Sequence, residues 1–317
     1  GVAGIDALLF GRLVGAARLL RLSVSPSLVC GVAPIAARAP LLVRGDLPAG
    51  ERRQVTTDLV HAIETEARTH GRTVCVRGVR REPSAIAGVL AERGYLRSAE
   101  LPAACLELNP DWHSFDDYRR ELKKTHENTE KGIRREMNRG RRAGLVIERL
   151  APPLTCSGRL HALLTSHYLR LNGRPFPYGP GFLDQLTSRL GDRALIYAAR
   201  IGEELVGVLV AVQDDEDVAI PMIGIDDDAG RKGAAYFNLG YNRPIADAIA
   251  SGRRRLYLGT LVYDLKGRRG AVRVDSDFHL RVWSSTHAIA LRAVLGLRDE
   301  RVARMSAALS RSEMAHT

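Results

Sequence analysis

The chain has 317 residues, 45% apolar and 26% charged, a globular composition that excludes a disordered polyelectrolyte and leaves room for two domains. Lysine and arginine exceed aspartate and glutamate by 11, and the excess is local: residues 118–142 hold ten basic side chains against four acidic, and residues 252–270 hold six against one. Two concentrated positive segments on an otherwise nearly neutral chain suit a phosphate-bearing partner (a nucleotide, coenzyme A, a lipid phosphate or tRNA), or else two solvated helix faces.

Residues 5–23 read as an amphipathic helix carrying Arg12, Arg18 and Arg21, expected to pack on its own domain. Short strands follow within 27–35 and 39–45, separated by proline and glycine. Val55, Leu59, Ile63 and Ala67 recur every four residues and predict a helix with that stripe inward. TVCVRGV (73–79) is a buried strand, 84–94 a helix closed by Gly94, and 95–109 a strand, turn and strand. A long charged helix opens at the N-cap Ser114, with Asp116 and Asp117 in its first turn, and is expected to break at Gly132 or Gly140 before Gly144 ends it.

The second half repeats this alternation. LVIERL (145–150) is a strand, 156–172 a helix, and GRPFPYGPG (173–181) a loop of the kind that frames a pocket. A helix over 182–192, three strands joined by hairpins over 194–226, a helix over 233–252 and a strand over 254–260 follow, then a last strand near 278–285 and an arginine-rich helix over 286–312. The expected division is a first domain of residues 1–143, including the basic connecting helix, and a second of 144–317. Alternating strands and helices define an α/β (α+β) class.

Cys30, Cys75, Cys105 and Cys156 show no C-x-x-C spacing and no histidine at ligand spacing, so no metal site is expected, and a reduced, cytoplasmic compartment fits. No run reaches the about 20 apolar residues that cross a bilayer, so stable membrane insertion is not expected. No nucleophile elbow or Ser/His/Asp order is present, which favours direct group transfer over a covalent intermediate.

The order of elements in 194–259, with the loop GRKGAA (230–235) at the head of a helix, resembles the core of the GNAT acyltransferases. A helix N-terminus offers free N–H groups to phosphate. The resemblance assigns Arg231, Lys232 and Gly233 to the donor loop, with Tyr236 and Asn238 beyond it, although the glycine falls one place early relative to Arg231. On a wider window, YFNLGYNRPIADAIASG and LYLGTLVYDLKGRRGA are similar to tandem acyltransferases of the Fem type. SFDDYRREL…KGIRREMNRGRRAG resembles their connecting stretch, and VLAERGY the end of a first GNAT-like half. This resemblance runs from about Ser27 to Ser284. It implies two tandem GNAT-like domains with mixed central sheets flanked by helices.

It further implies that Lys266 supports the reacting carbonyl, where an ammonium suits a developing oxyanion. Tyr263 and Asp264 stand beside it to orient it or relay a proton, and Asp226 is the carboxylate expected to face a cleft. Tyr168, Arg170, Asn172 and Arg174 precede the proline-glycine loop, and Tyr168, Arg170 and Asn172 are the expected acceptor-binding residues; His167 and His279 are further candidates for deprotonating the amine. No tightly bound cofactor is expected, and the co-substrate is an aminoacyl-tRNA or an acyl-CoA or carrier thioester. tRNA would lie along 118–142, and the acceptor would be a small-molecule, peptide or cell-wall-type amine. A non-catalytic ligand-binding member, or a homo-oligomer through the terminal helix, also remains compatible with the sequence.

Overall fold

The computed structural model describes residues 27–30, 43–44, 46–81, 84–173, 175–260 and 262–314. The opening helix, most of the strand at 39–45 and Arg174 lie outside these residues. The fold is α+β, with two mixed sheets flanked by helices. By contacts the chain divides into two compact units: residues 104–272 form one, and residues 5–103 with 273–317 form the other. These boundaries fall at other places than the 143/144 division drawn from the sequence.

The second of these units has a four-stranded sheet. β1 (Ser27–Cys30) runs parallel to β2 (Thr73–Arg80). β3 (Leu96–Ala99) does not pair with β2. A strand from the far end of the chain (Ser276–Arg281) lies antiparallel between them. Two helices, α1 (Ala49–Thr69) and α2 (Ala85–Glu92), join these strands. α2 is capped by the Ser84 hydroxyl on the Ala87 N–H, as its N-cap residue type predicts. α1 is rotated from the expected phase. Thr56, Val60, Glu64 and Ala67 are buried, whereas Val55 and Leu59 are exposed. The reason is Glu64: its carboxylate is held by Arg93 at the end of α2, so a polar position joins the inward face while Val55 and Leu59 turn to solvent.

In the other unit β4 (Ala103–Glu107) precedes α3 (Phe115–Thr125) and α4 (Glu127–Arg142). Ser114 caps α3 as expected. The helix breaks at His126 (φ −141°) and not at Gly132 or Gly140, both of which lie inside α4. Glu127 and Glu130 fill the first turn after the break, where the helix dipole favours carboxylates. Gly140 has a packing role: a Cβ there would lie 2.9 Å from the Asn238 side-chain nitrogen and 3.3 Å from the Gly233 carbonyl.

β5 (Leu145–Leu150), β6 (Ala194–Ile201), β7 (Glu204–Gln213) and β8 (Asp217–Ile225) form an antiparallel meander, with α5 (Ser157–Asn172) and α6 (Phe182–Leu190) inserted after β5. Beyond β8 come α7 (Asp227–Lys232), α8 (Ala235–Phe237), a π-helical turn (Asn238–Asn242) and α9 (Arg243–Ala250). β9 (Arg255–Tyr257), α10 (Tyr263–Arg268) and β10 (Val272–Val274) complete a sheet of order β10-β4-β9-β8-β7-β6-β5. The strand Ser276–Arg281 is β11, and α11 (Ser285–Met314) ends the chain.

α5 lies flush on β8. A Cβ at Gly224 would fall 2.7 Å from the Leu163 carbonyl and the Leu164 nitrogen, and backbone cannot yield as a side-chain tip does. Gly224→Ala is therefore expected to destabilise the fold by about 3 kcal/mol, read as a lowered urea midpoint with unchanged slope.

Candidate active site

β8 and β9 are parallel neighbours for only three residue pairs, from Asp217↔Arg255 to Ala219↔Tyr257. After Tyr257 the chain stays with β4: the Leu258 N–H donates to Ala104 O (2.8 Å), and the Ala104 N–H donates to Gly259 O (2.9 Å). β8 continues to Ile225 without β9. Pro221, which has no N–H, stands where the strands part, opposite a register shift at Val210/Val212 of β7. A fork between two parallel strands results.

Lys266 is anchored at this fork. Its helix α10 starts after Val262, a β-branched residue held at φ +52°, and turns the lysine back toward the end of β9. Nζ donates to Thr260 O at 3.0 Å and Gly259 O at 3.3 Å. The side chain is buried, and burial alone pushes the ammonium down from 10.5 to about 7. Among the described residues no carboxylate pairs with it. A desolvated cation held only by neutral carbonyls is short of negative charge, which an oxyanion entering the fork supplies.

Tyr263 is buried on the same helix. Asp264 is occupied by Arg268, whose Nε lies 2.9 Å from it, so it does not neutralise Lys266. A short helix holds these residues, and it starts where Val262 takes the left-handed conformation. Asp226 stands past the end of β8, six residues beyond Ile220, which borders Gly259. That is on the order of 20 Å along an extended strand.

α10 leads into a second buried cation that the sequence reading missed. Arg269 is 2% exposed and donates from Nη2 to both oxygens of Glu136 on α4, at 2.9 and 2.7 Å. Its guanidinium sits 4.8 Å from the Tyr241 ring centre and 5.6 Å from that of Phe237, and its carbonyl accepts from the Tyr118 hydroxyl (2.9 Å). Asn242 donates to Glu136 at 3.3 Å. The signal was present in one respect. Glu136 lies three residues after Ile133 and four before Gly140, in phase with the buried stripe of α4.

The residues expected to form a donor loop divide. Arg231 is exposed at the end of α7, its Nε donating to Asp227 O; Lys232 is the last residue of that helix. Gly233 is buried, and a Cβ there would press on Ile201 at 3.1 Å and Leu145 at 3.4 Å. Its carbonyl accepts from Asn238, whose Nδ2 is also within reach of Glu136 O and Ala234 O. Asn238 thus ties the π-helical turn to α4. Tyr236 is half-buried, its hydroxyl 3.4 Å from that of Tyr241.

The residues expected on the acceptor side gather at the far end of β8. Arg170 pairs with Asp227 and lies 2.8 Å from Nδ1 of His167, while Arg159 approaches Asp226 at 3.9 Å. His167 is buried, which lowers its pKa, and the neighbouring Arg170 lowers it further. Asn172 donates to Tyr168 O. Tyr168 packs edge-on to Phe176, which also meets His161, Tyr178 and Phe182. His279 lies on β11, buried, in the other compact unit. Among the described residues no cluster has metal-ligand geometry, and no helix is long and apolar enough to cross a membrane.

Residues 127–267 match the sequence profile described as an acetyltransferase (GNAT) domain. No curated protein matches the chain. Among solved structures, it is similar to the C-terminal domain of an Agrobacterium fabrum protein assigned as a lysylphosphatidylglycerol synthetase: TM-score 0.53, 13% identity, covering 74% of this chain and 76% of that one. L-PGS from Bacillus licheniformis aligns with TM-score 0.49 and 14% identity over 78% and 79% of the two chains. FemX aligns with TM-score 0.47 and 8% identity over 71% and 76%. The segment from α4 to α10, with the fork and Lys266 inside it, is thus GNAT-like in sequence, and the chain's two-sheet fold is similar to that of the Agrobacterium domain.

Proposed function

We propose that this chain is an N-acyltransferase that moves an activated acyl or aminoacyl group directly onto an amine, with an aminoacyl-tRNA as donor. The observation that carries the catalytic part is the buried Lys266 ammonium at the β8–β9 fork, bonded to two carbonyls and, among the described residues, to no carboxylate. In the reaction the acceptor nitrogen attacks the donor carbonyl and a tetrahedral oxyanion forms, which Lys266 stabilises. The C–O bond to the donor ribose then breaks as the amide forms. The nitrogen loses one proton and the departing ribose oxygen gains one, so the balance closes within the substrates.

Acyl-CoA is the second donor, favoured by the GNAT match over 127–267. Against it stands Gly233, which is packed against Ile201 and Leu145 and has its carbonyl engaged by Asn238. The glycine also falls one place early relative to Arg231, away from the spacing of the usual coenzyme A loop. Offering the protein charged tRNAs and a panel of acyl-CoAs, each with a mixed amine pool, and following mass transfer tests the choice. Transfer from acyl-CoA with none from charged tRNA would reverse the assignment.

The reading also fixes a pH dependence. If the ammonium is the working form, kcat/KM falls as pH rises through about 7, the value to which burial brings Lys266. Lys266→Arg keeps its charge at any accessible pH and is expected to lose that fall, at reduced rate. A rise through the same range would instead make Lys266 a base. A chain that only binds a ligand would keep its affinity in Lys266→Met.

A further inference from the structure

A cavity of about 420 Å³ lies between α9 and the face of the antiparallel meander. Strand alternation and register assemble its floor. Arg149 of β5 stands opposite Tyr197 of β6, Leu195 of β6 opposite Ala211 of β7, and Gln213 of β7 opposite Val218 of β8. Residues directly opposite share a face, and all six line the cavity. Leu195, Ala211 and Val218 give it an apolar base.

The charged groups around this base are of two kinds. Arg243, at the start of α9, is matched within the protein: Nε lies 2.9 Å from both oxygens of Asp247, and Nη1 donates to Ile147 O. Arg149 and Arg253 are held by backbone carbonyls instead. Arg149 Nη2 and Gln213 Nε2 both donate to Asp192 O, at 3.4 and 2.9 Å, which keeps these two side chains together. Arg253 Nη1 donates to the carbonyl of the next residue, Asp214. Among the described residues no carboxylate pairs with Arg149 or Arg253. Arg253 is half-buried, and its Nε is shut off from water without an acceptor. A carbonyl satisfies one donor but leaves the charge of a guanidinium uncompensated. The lining as a whole carries three guanidiniums against one carboxylate.

We propose that this cavity binds a small amphiphilic anion, its carboxylate or phosphate held by Arg149 and Arg253 and its apolar body laid on Leu195, Ala211 and Val218. An apolar base with a few charged donors at one side is the usual make-up of a small-molecule site, and the planar guanidinium fork matches both head groups. Val218 belongs to the stretch where β8 and β9 are still paired, before they part. The cavity is therefore a site separate from the fork that holds Lys266, and it stands whether or not that lysine serves acyl transfer.

The test is isothermal titration calorimetry on the full chain with sodium octanoate, octyl phosphate, the neutral isostere octanamide and inorganic phosphate. At least one of the two amphiphilic anions is expected to bind saturably, with a Kd of about 1 mM or lower, and the tighter of them names the head group. Octanamide and inorganic phosphate should each bind at least about tenfold more weakly, since each lacks half of the recognised chemistry. Arg253→Gln is expected to weaken the tighter anion by about 10- to 100-fold. Ala250→Trp, at an exposed position of α9 that lines the cavity, should abolish binding by filling the space, with urea midpoints confirming that both variants fold. Binding by neither anion, equal binding of octanamide, or unchanged affinity in a folded Arg253→Gln would overturn the proposal. Affinity lost in Lys266→Met and kept in Arg253→Gln would place the anion at the fork and overturn it too.

Discussion

Lys266→Met is expected to lose about 10²- to 10³-fold in kcat, the usual effect of removing one oxyanion-stabilising group, while making the folded protein more stable at acidic and neutral pH. The two effects share one cause. In the unfolded chain the ammonium titrates at 10.5, and in the folded chain burial brings it to about 7. Below pH 7 both states carry the proton, and the native state bears the whole cost of a desolvated charge. Between 7 and 10.5 the native lysine releases its proton while the unfolded one keeps it, so wild-type stability rises with pH through this window. At 1.36 kcal/mol per pH unit the interval corresponds to about 3–5 kcal/mol. Methionine fills similar volume without the charge. Its stability advantage in urea unfolding should be largest at pH 6 and shrink steadily toward pH 10. An advantage that grew with pH would mean that Lys266 is not the buried cation described.

The second large effect concerns Glu136 and Arg269, 133 residues apart, with Arg269 buried and Glu136 mostly so. Glu136→Leu leaves the Arg269 guanidinium buried without its carboxylate, and Arg269→Met leaves the carboxylate. Each is expected to cost about 3–5 kcal/mol, whereas the double variant should recover most of the loss, since a buried pair exchanged whole for apolar groups is nearly neutral. Chemical denaturation of the four proteins gives the coupling directly. Arg269 immediately follows α10, so the single variants should also move the pH at which Lys266 titrates, read by NMR after reductive methylation. Unchanged Lys266 titration in a folded Glu136 variant would show that the pair holds the helices together without setting the lysine.

Local signals decided the helices that begin with Ser84 and Ser114, the meander of β6 to β8, and the helix ended near Ser251. Hydroxyl caps and unbroken apolar runs act within one or two turns of chain, so the sequence shows them directly. The long charged helix was legible too, but its break was not: glycine propensity pointed to Gly132 and Gly140. The first-turn acids Glu127 and Glu130 were the better guide, and Gly140 serves a contact with residues 233 and 238. The phase of α1 misled in the same way, because Glu64 is inward only through Arg93.

By itself the sequence determined that this is a chain of alternating strands and helices with its positive charge in two segments, and its resemblance to Fem-type acyltransferases pointed to Lys266. Only the tertiary structure decided that Lys266 is buried at a fork where, among the described residues, no carboxylate pairs with it, that Glu136 and Arg269 meet, and that β11 enters the sheet between β2 and β3. Burial, strand pairing and ion pairing join residues a hundred or more positions apart. No window of sequence contains both members of such a pair, and the energy of a charge depends on its surroundings as much as on its own identity.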